Sequence, residues 1–233
     1  MSEKTVVIHQ PDFLSYLGFF HRLLKADLYV ALDHVQFVSG TSRSWTSRDK
    51  IKTPRGEQWL TIAIKKCPLG TPINEVLLSD SDWRQNNLNL ITENYRQAPC
   101  FAEIMPDIND LYQYRCERLV DFNLASISML MKLLDIDVPC VLSSTLQPSG
   151  KSNDLLVDIL KKVHADTYLS GIGAKAYFDP TPYEIAGIRV AWQDFTHPVY
   201  PQCHGPFIPF LSSIDVLFNC GITKSRTILG GCQ

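Results

Sequence analysis

The amino-acid sequence predicts an α/β protein with a mostly parallel open sheet, βαβ units at both ends of the chain and a helical insert at about 82–135. Short β-branched runs alternate with helical periodicity near both ends of the 233 residues, and helical spacing dominates the middle. This length suits one large domain or two small ones. We predict one domain that spans residues 1–233.

The first predicted unit is strand, helix, strand. "TVVIHQ" (5–10) is a β-branched run that stops at Pro11, and the following segment, 13–27, has apolar residues at helical spacing. "LYVALD" (28–33) is then a second strand, parallel to the first. The carboxyl ends of such strands share one edge of the sheet, where open parallel sheets bind ligands. His9, Gln10 and Asp33 lie at these ends.

Residues 39–58 predict a long basic loop before a strand at 59–64. Five basic residues surround one tryptophan, Trp45; they are Arg43, Arg48, Lys50, Lys52 and Arg55. This charge either binds an anionic ligand such as a phosphate or carboxylate, or is simply solvated. We expect the segment 73–78 to pair with 59–64 as a hairpin.

The remaining chain contains the helical insert and a second βα series. We predict a helix at 82–98 and a helical stretch at about 107–134, which Asn123 breaks in two. The later strands are predicted at 138–143, 167–171 and 188–195, with helices at 151–164 and about 181–186. An amphipathic segment near residues 212–220 comes last.

The turn before the helix at 151–164 resembles a phosphate-binding loop. Gly150, Lys151 and Ser152 fit the end of the Walker A pattern, but Thr145 stands where its first glycine is required. A true P-loop is therefore excluded, since β-branched threonine resists the loop geometry. Two interpretations are left. Either an anion binds at the helix N-terminus beside Lys151, or the polar residues are ordinary caps.

Three further segments carry candidate functional residues. His9 sits between a strand and a proline turn, so we predict that it faces a ligand as a general base. Asp33 could position a histidine, take a proton or cap a turn, and Gln36 follows it. Lys175 lies in a glycine-bearing turn, where it could meet an anion. In the segment 193–205, we expect His197, Tyr200 and Gln202 to line a pocket, and Cys203 to be a stray cysteine.

Composition excludes several classes of protein. The formal charge is −2 without a basic block, which predicts no nucleic-acid partner. The chain lacks both an apolar run of the roughly 20 residues that a membrane span needs and a signal peptide, so we expect a cytoplasmic protein. The seven cysteines form no CxxC pair. We therefore predict reduced thiols, and neither metal nor cofactor.

These residues also have a familiar order along nearly the whole chain. "IHQPDFLSYLGFFHRLLKADLYVALDHVQF", "SSTLQPSGKSNDLLVDILKK" and "YLSGIGAKAYFD" resemble the WbqC-like protein family. Ser15 and Ser47 depart from the usual pattern, where a proline and an asparagine are common. The family is encountered in bacterial gene clusters for O-antigen and other surface polysaccharides. The resemblance implies a cytoplasmic step on an activated sugar.

Two functions fit this implication. The first is a transferase that adds an acyl or aminoacyl group to a nucleotide-linked amino sugar, with the nucleotide sugar and a group donor as small-molecule partners. The second is a non-catalytic sugar-nucleotide-binding or assembly subunit of a polysaccharide-pathway enzyme. The transferase should bring His9, Asp33, Arg48, Lys151 and Tyr200 into one concave site. The predicted catalytic residues are His9 and Asp33, and the predicted substrate-binding residues are Gln10, Gln36, Trp45, Arg48, Lys151, Ser152, Lys175, His197, Tyr200 and Gln202.

Overall fold

Seven strands form two sheets in the computed structural model, which describes residues 3–38 and 45–232. The strands are β1 (Thr5–His9), β2 (Leu28–Ala31), β3 (Arg48–Thr53), β4 (Gly56–Thr61), β5 (Cys140–Leu142), β6 (Thr167–Ser170) and β7 (Arg189–Trp192). The larger sheet has the order β5-β2-β1-β6-β7, and all its neighbouring pairs are parallel. The predicted α/β class with a parallel sheet is confirmed.

Seven α-helices accompany these strands in the described part of the chain. They are α1 (Leu17–Leu23), α2 (Trp83–Tyr95), α3 (Phe101–Gln113), α4 (Leu119–Leu134), α5 (Ser152–Lys162), α6 (Thr181–Ala186) and α7 (Ser213–Gly230). Helices α2 to α4 are the predicted insert between β2 and β5.

Two cores cover the two faces of the parallel sheet. Successive side chains of a strand point to opposite faces, and β1 follows this rule. Val7 belongs to the core that includes residues of α1, α4 and α7, whereas Val6 and Ile8 belong to the core with α5 and α6. We name these faces the α1 face and the α5 face. Both sides of β1 are buried, which explains its continuous apolar run.

The predicted basic loop is wrong for residues 48–58, which lie mostly in a hairpin. Strands β3 and β4 pair antiparallel, from Arg48 opposite Thr61 to Thr53 opposite Gly56. Gly56 has φ of +105°, which a residue with a side chain rarely adopts. The strand pattern was hidden because a buried position is occupied by Lys52, which is only 1% exposed. Arg43 lies outside the described residues.

Two other predicted elements differ from the structure. Residues Ile73–Glu75 form a 3₁₀ turn, and only an isolated bridge between Ile64 and Leu78 joins the two predicted hairpin strands. The break in the insert falls between α3 and α4, and Asn123 lies inside α4. Its side chain donates hydrogen bonds to the Pro11 and Thr46 carbonyls, so tertiary contacts compensate for its low helix propensity.

Candidate functional site

The strand order places a topological switch point between β1 and β6. The chain moves from β1 to β2 and β5 on one side, and then crosses to β6 and β7 on the other. Ligands of doubly wound sheets bind in the crevice outside the carboxyl ends of the strands at such a point. Here these ends are His9 of β1 and Ser170 of β6.

A cavity of about 310 Å³ opens at this point on the α5 face. Four aromatic side chains line it, from β6, α6 and the turn between them: Tyr168, Tyr177, Phe178 and Tyr183. Its polar lining includes Gln10, Ser152, Asn153 and Ser170. We call this the aromatic cavity. Its volume lies at the lower end of the range of small-molecule sites, about 300–1,000 Å³.

His9, which precedes Gln10 at the end of β1, points to the α1 face and pairs with a carboxylate. His9 Nε2 lies 2.9 Å from Asp12 Oδ2, and the ring packs against Phe19 of α1 at 5.4 Å between centroids. The side chain of His9 is 32% exposed and that of Asp12 is 15% exposed. Because a carboxylate accepts, Nε2 carries the hydrogen, and Nδ1 is left as the basic nitrogen.

The pair is held in place from two sides. Thr46 donates its hydroxyl to Asp12 Oδ1 at 3.2 Å and approaches Gln10 Oε1 at 3.4 Å. Asn123 of α4 then binds the carbonyls of Pro11 and Thr46, so the loop after β1 and the segment before β3 are fixed together. His9, Asp12 and Thr46 therefore form a preorganised group, which we call the His9 cluster.

Asp33 is a buried residue that stabilises the loops beside the site. It is fully buried, and its carboxylate accepts hydrogen bonds from the Ser143 hydroxyl, from the Ser144 N–H and hydroxyl, and from the Asn74 amide. Burial alone would raise the pKa of Asp33, but these hydrogen bonds hold it below its usual value. Of its three predicted roles, this geometry fits the capping of a turn, because Asp33 accepts from the Ser144 N–H after β5 and so holds the loops after β2 and β5 together.

The turn before α5 contributes Ser152 but not Lys151 to the lining. Ser152 lines the aromatic cavity, whereas Lys151 is exposed and is not among the lining residues. Lys151 is the N-cap residue of α5 and makes no side-chain capping hydrogen bond. No side chain caps this position, and Asp154 lies in the first turn of α5, as in an ordinary helix start.

Lys175, Gln36, Trp45 and Arg48 lie around the site rather than inside the cavity. The Lys175 ammonium is 5.3 Å from the ring centroid of Trp192, and Gln36 is exposed with a backbone bridge to Pro72. Trp45 packs on Trp59 of β4 at 5.4 Å, and the Arg48 guanidinium stands over the same ring at 4.1 Å. This aromatic and cationic stack is joined to the His9 cluster through Thr46.

Tyr200 and Gln202 lie in a separate buried network. Both donate hydrogen bonds to Asp215 of α7, at 2.9 Å and 2.8 Å, and Tyr95 donates a third. The Lys52 ammonium binds Gln202 Oε1, which explains how this lysine can be buried. Burial raises the pKa of both Tyr200 and Asp215. These contacts place Tyr200 and Gln202 in the support of the 200–208 loop. None of the five residues expected in one concave site lines the aromatic cavity; they are His9, Asp33, Arg48, Lys151 and Tyr200.

His197 also has neighbours of its own. Its ring contacts Phe195, Tyr200, Phe207 and Phe210, and its Nδ1 donates to the Pro198 carbonyl at 2.9 Å. Burial lowers the pKa of His197. The neutral ring therefore packs within an aromatic group and is not among the residues that line the aromatic cavity.

Several site residues were not identified from the sequence. Asp12 lies three residues after His9, a spacing that could have suggested a His–Asp pair. Asn153 fixes the turn before α6 through the Tyr177 carbonyl and accepts from the Tyr183 hydroxyl. In the sequence, the position of Asn153 next to Ser152 could have indicated that it belongs to the site. Nothing in the sequence indicated that Thr46 and Asn123 belong to the site, since they approach the end of β1 only in the folded protein.

The residues that the structure describes contain no group of three His, Cys, Asp or Glu side chains arranged to hold a metal ion. All seven cysteines are free. Among the described helices, none combines the length and the apolar character needed to cross a membrane.

Comparisons with known proteins show which sequences this chain is similar to. The sequence model of the WbqC-like protein family matches residues 10–227. The chain is 28% identical over 221 residues to the uncharacterized protein Rv1507c of Mycobacterium tuberculosis, with 94% of each chain covered. No solved structure matches the chain significantly.

Proposed function

We propose that this chain, which belongs to the WbqC-like protein family, is a transferase acting on a nucleotide-activated sugar. The transferred group is an acyl or aminoacyl group, and the acceptor is the amine of an amino sugar. The product would enter the assembly of O-antigen or another bacterial surface polysaccharide.

The observation that supports catalysis is the His9–Asp12 pair beside the aromatic cavity. Asp12 accepts from Nε2 at 2.9 Å, so the basic Nδ1 is the atom that can take a proton from the acceptor amine. The amine nitrogen bonds to the carbonyl carbon of the donor, and the bond from that carbon to the rest of the donor breaks, so the leaving group departs with the electron pair. The 32% exposure of His9 leaves this ring accessible to a ligand. General-base catalysis typically contributes about 10²–10⁴-fold.

The aromatic cavity suits the nucleoside part of the substrate. Its tyrosine and phenylalanine rings offer flat faces for stacking a base or a sugar ring. Gln10 also lines it, and its Oε1 is close to the Thr46 hydroxyl. The amide NH₂ of Gln10 makes no hydrogen bond to a described residue, so it can donate to a base or sugar oxygen.

The experiment is a thermal-shift screen of the purified protein, followed by turnover assays. Candidate ligands are nucleotide sugars, nucleoside triphosphates, and acyl or aminoacyl donors. A ligand at about 100 times its Kd stabilises the folded state by about 2.7 kcal/mol. With the ligand that stabilises the protein, His9→Gln should lower turnover about 10²–10⁴-fold and leave Kd within about twofold.

Two further variants sharpen this test. Asp12→Asn should lower turnover in the same direction, because the amide no longer fixes Nε2–H as the donor. His164→Asn, at an exposed histidine after α5 whose φ of +55° asparagine tolerates, should leave turnover unchanged. Full activity in His9→Gln would refute the catalytic role.

The second candidate function, a non-catalytic sugar-nucleotide-binding subunit, is favoured by the engagement of Asp33, Tyr200 and Gln202 in structural hydrogen bonds. A binding subunit needs a shaped cavity and no base. In that case a nucleotide sugar stabilises the protein, no donor is consumed, and His9→Gln changes affinity.

A further inference from the structure

Arg22 of α1 is a buried cation with no counter-ion in the described part of the chain. The residue is 4% exposed, and its Nε is buried without a hydrogen-bond partner. None of the ion pairs formed within residues 3–38 and 45–232 includes it. Its ring contact is with Phe19, at 6.0 Å from the guanidinium carbon to the centroid.

Such an arrangement is unfavourable in the absence of a ligand. Arginine stays charged at every accessible pH, so burial cannot be relieved by loss of a proton. A buried charge without a partner destabilises the folded state, whereas a well-packed apolar side chain of similar size does not. The guanidinium is therefore a candidate binding group for an anion that is bound during function.

Arg22 lies close to the β1–β6 switch point. An ideal Cβ on Gly171, the residue after β6, would lie 3.3 Å from one terminal nitrogen of Arg22. The Phe19 ring that Arg22 contacts also packs against His9. Arg22 thus lies on the α1 face beneath the carboxyl ends of β1 and β6, on the same side as the His9 cluster.

The absence of a side chain at Gly171 leaves space for a small group beside the buried guanidinium. Ser170 and Gly171 face opposite sides of the sheet, since Ser170 lines the aromatic cavity and Gly171 adjoins Arg22. A ligand with its nucleoside in the cavity would cross the strand ends at these two residues. Its next groups are the phosphates, whose oxygens match the two-pronged donor geometry of arginine.

We propose that Arg22 binds the diphosphate of the nucleotide-sugar substrate at the β1–β6 switch point, and that the missing side chain of Gly171 leaves space for a phosphate oxygen beside the guanidinium. This inference rests on the proposed function for the identity of the whole ligand. The anion site itself can be tested with inorganic pyrophosphate alone.

The experiment measures pyrophosphate binding by calorimetry in low-chloride buffer. The variants are Arg22→Met, Arg22→Lys and Gly171→Ala, with Arg96→Met as a matched control at an exposed arginine. We expect Arg22→Met to weaken binding about 10- to 100-fold, as loss of a charged hydrogen-bond pair does. Arg22→Lys and Gly171→Ala should weaken it less, and Arg96→Met should match the wild type.

Stability without ligand gives an independent readout. Arg22→Met removes an uncompensated buried charge, so its melting temperature in the absence of anions should equal or exceed that of the wild type. A purely structural arginine would show the reverse, with a lower melting temperature and unchanged pyrophosphate affinity. That pair of results would overturn the proposal, and so would failure of the wild type to bind pyrophosphate.

Nucleotide sugars separate this proposal from the proposed function. If the wild type binds pyrophosphate through Arg22 but no nucleotide sugar stabilises it, the anion site stands and the transferase proposal fails. If a nucleotide sugar binds the wild type and Arg22→Met equally, the transferase proposal stands and the role of Arg22 is refuted.

Discussion

At the residue scale, a buried carboxylate without a cationic partner joins the ends of β2 and β5. Asp33 accepts its four hydrogen bonds from neutral donors at 2.6–3.2 Å. Ser143 in turn receives a hydrogen bond from His34 Nδ1 at 2.6 Å. Because each donor would lose a partner together with the carboxylate, the group acts as one unit.

Asp33→Asn should therefore lower the free energy of unfolding by about 1.5–3 kcal/mol at pH 7, since an amide cannot accept at both positions. Asp137→Asn, at an exposed aspartate, is the control and should change little. Urea denaturation at pH 7 measures both. A destabilised Asp33→Asn that retains turnover supports the capping role; unchanged stability with lost turnover would identify Asp33 as catalytic instead.

The pH dependence of this difference follows from the lowered pKa. The folded pKa of Asp33 is below its usual 3.8, so the unfolded state takes up the proton first as pH falls. The stabilisation is complete above pH 3.8 and disappears as pH falls through the folded pKa. The difference in free energy of unfolding between the wild type and Asp33→Asn should therefore shrink as pH falls through the folded pKa. A difference that does not change with pH would contradict the assignment.

His21 predicts a second pH effect, nearer neutrality. Burial lowers its pKa below 6.5, and its ring binds the Cys232 carbonyl and Gln193. The unfolded state therefore binds more protons between the folded pKa and pH 6.5. Stability should fall as pH is lowered from 7.5 to 5.5, by at most about 1.4 kcal/mol per pH unit for one proton.

The variant His21→Gln keeps a donor and an acceptor, and should show a shallower slope in urea denaturation at pH 7.5, 6.5 and 5.5. His197, whose pKa burial also lowers, should contribute a slope of the same sign. An unchanged slope in His21→Gln would argue against this origin.

Sequence could locate these residues but not their roles. His9 and Gln10 were placed at the ligand edge because strand ends are visible in the apolar pattern. Arg22 was not singled out from the sequence, since its position beside Gly171 depends on the fold. Tyr200 and Gln202 looked like pocket residues, because the sequence gave no sign of their partner Asp215, 13 to 15 positions away.

At the element scale, one buried asparagine connects α4 to the His9 cluster. Asn123→Leu would leave the Pro11 and Thr46 carbonyls without their donor, at a cost of about 1–3 kcal/mol each. We expect lower stability in urea and a lower rate, because the loop that holds Asp12 is released. Asn86→Leu on the exposed face of α2 is the control. Unaltered stability in Asn123→Leu would show that water replaces the amide.

Helix α7 contains a kink that only glycine accommodates. Gly221 has φ of 75° and ψ of 170°, and a Cβ there would lie 2.7 Å from Glu103 Oε2 and 2.9 Å from Cys100 Sγ. Gly221→Ala should therefore lower the free energy of unfolding by at least about 1–3 kcal/mol.

Gly230 offers a matched control in the same helix. An added Cβ at Gly230 meets nothing within 4 Å. Gly230→Ala should thus be neutral or stabilising by up to about 1 kcal/mol. Chemical denaturation of both variants tests the kink, and equal effects would show that it relaxes at little cost.

The elements that were predicted correctly are those with an apolar period of their own. The strands of the parallel sheet have short apolar runs, and α5 has apolar residues at helical spacing. The hairpin of β3 and β4 has no such pattern, because lysines alternate with buried Asp49 and Ile51, and Lys52 is buried through contacts with the distant 202–206 loop. A charged strand of this kind is recognisable only after its tertiary partners are known.

At the scale of the whole molecule, the hairpin, the insert and the parallel sheet share one core. Ile51 and Leu60 of the hairpin belong to the same buried cluster as Val7 of β1 and Val216 of α7. The cluster on the α5 face is attached to the same strands through Val6 and Ile8. This sharing leads us to predict that residues 1–233 unfold as one cooperative domain.

The four tryptophans report on different parts of this domain. Trp45 and Trp59 pack together at the hairpin, Trp83 begins α2, and Trp192 ends β7. Tryptophan fluorescence and far-ultraviolet circular dichroism should give coincident urea transitions, as two-state unfolding requires. The variant Trp192→Phe, which removes the signal from the parallel sheet, should leave the midpoint of the fluorescence transition equal to that from circular dichroism. A fluorescence transition at lower urea in that variant would mean that the hairpin and α2 unfold first. The His9 cluster would then depend on a segment that can open by itself, because Thr46 is its link to the hairpin.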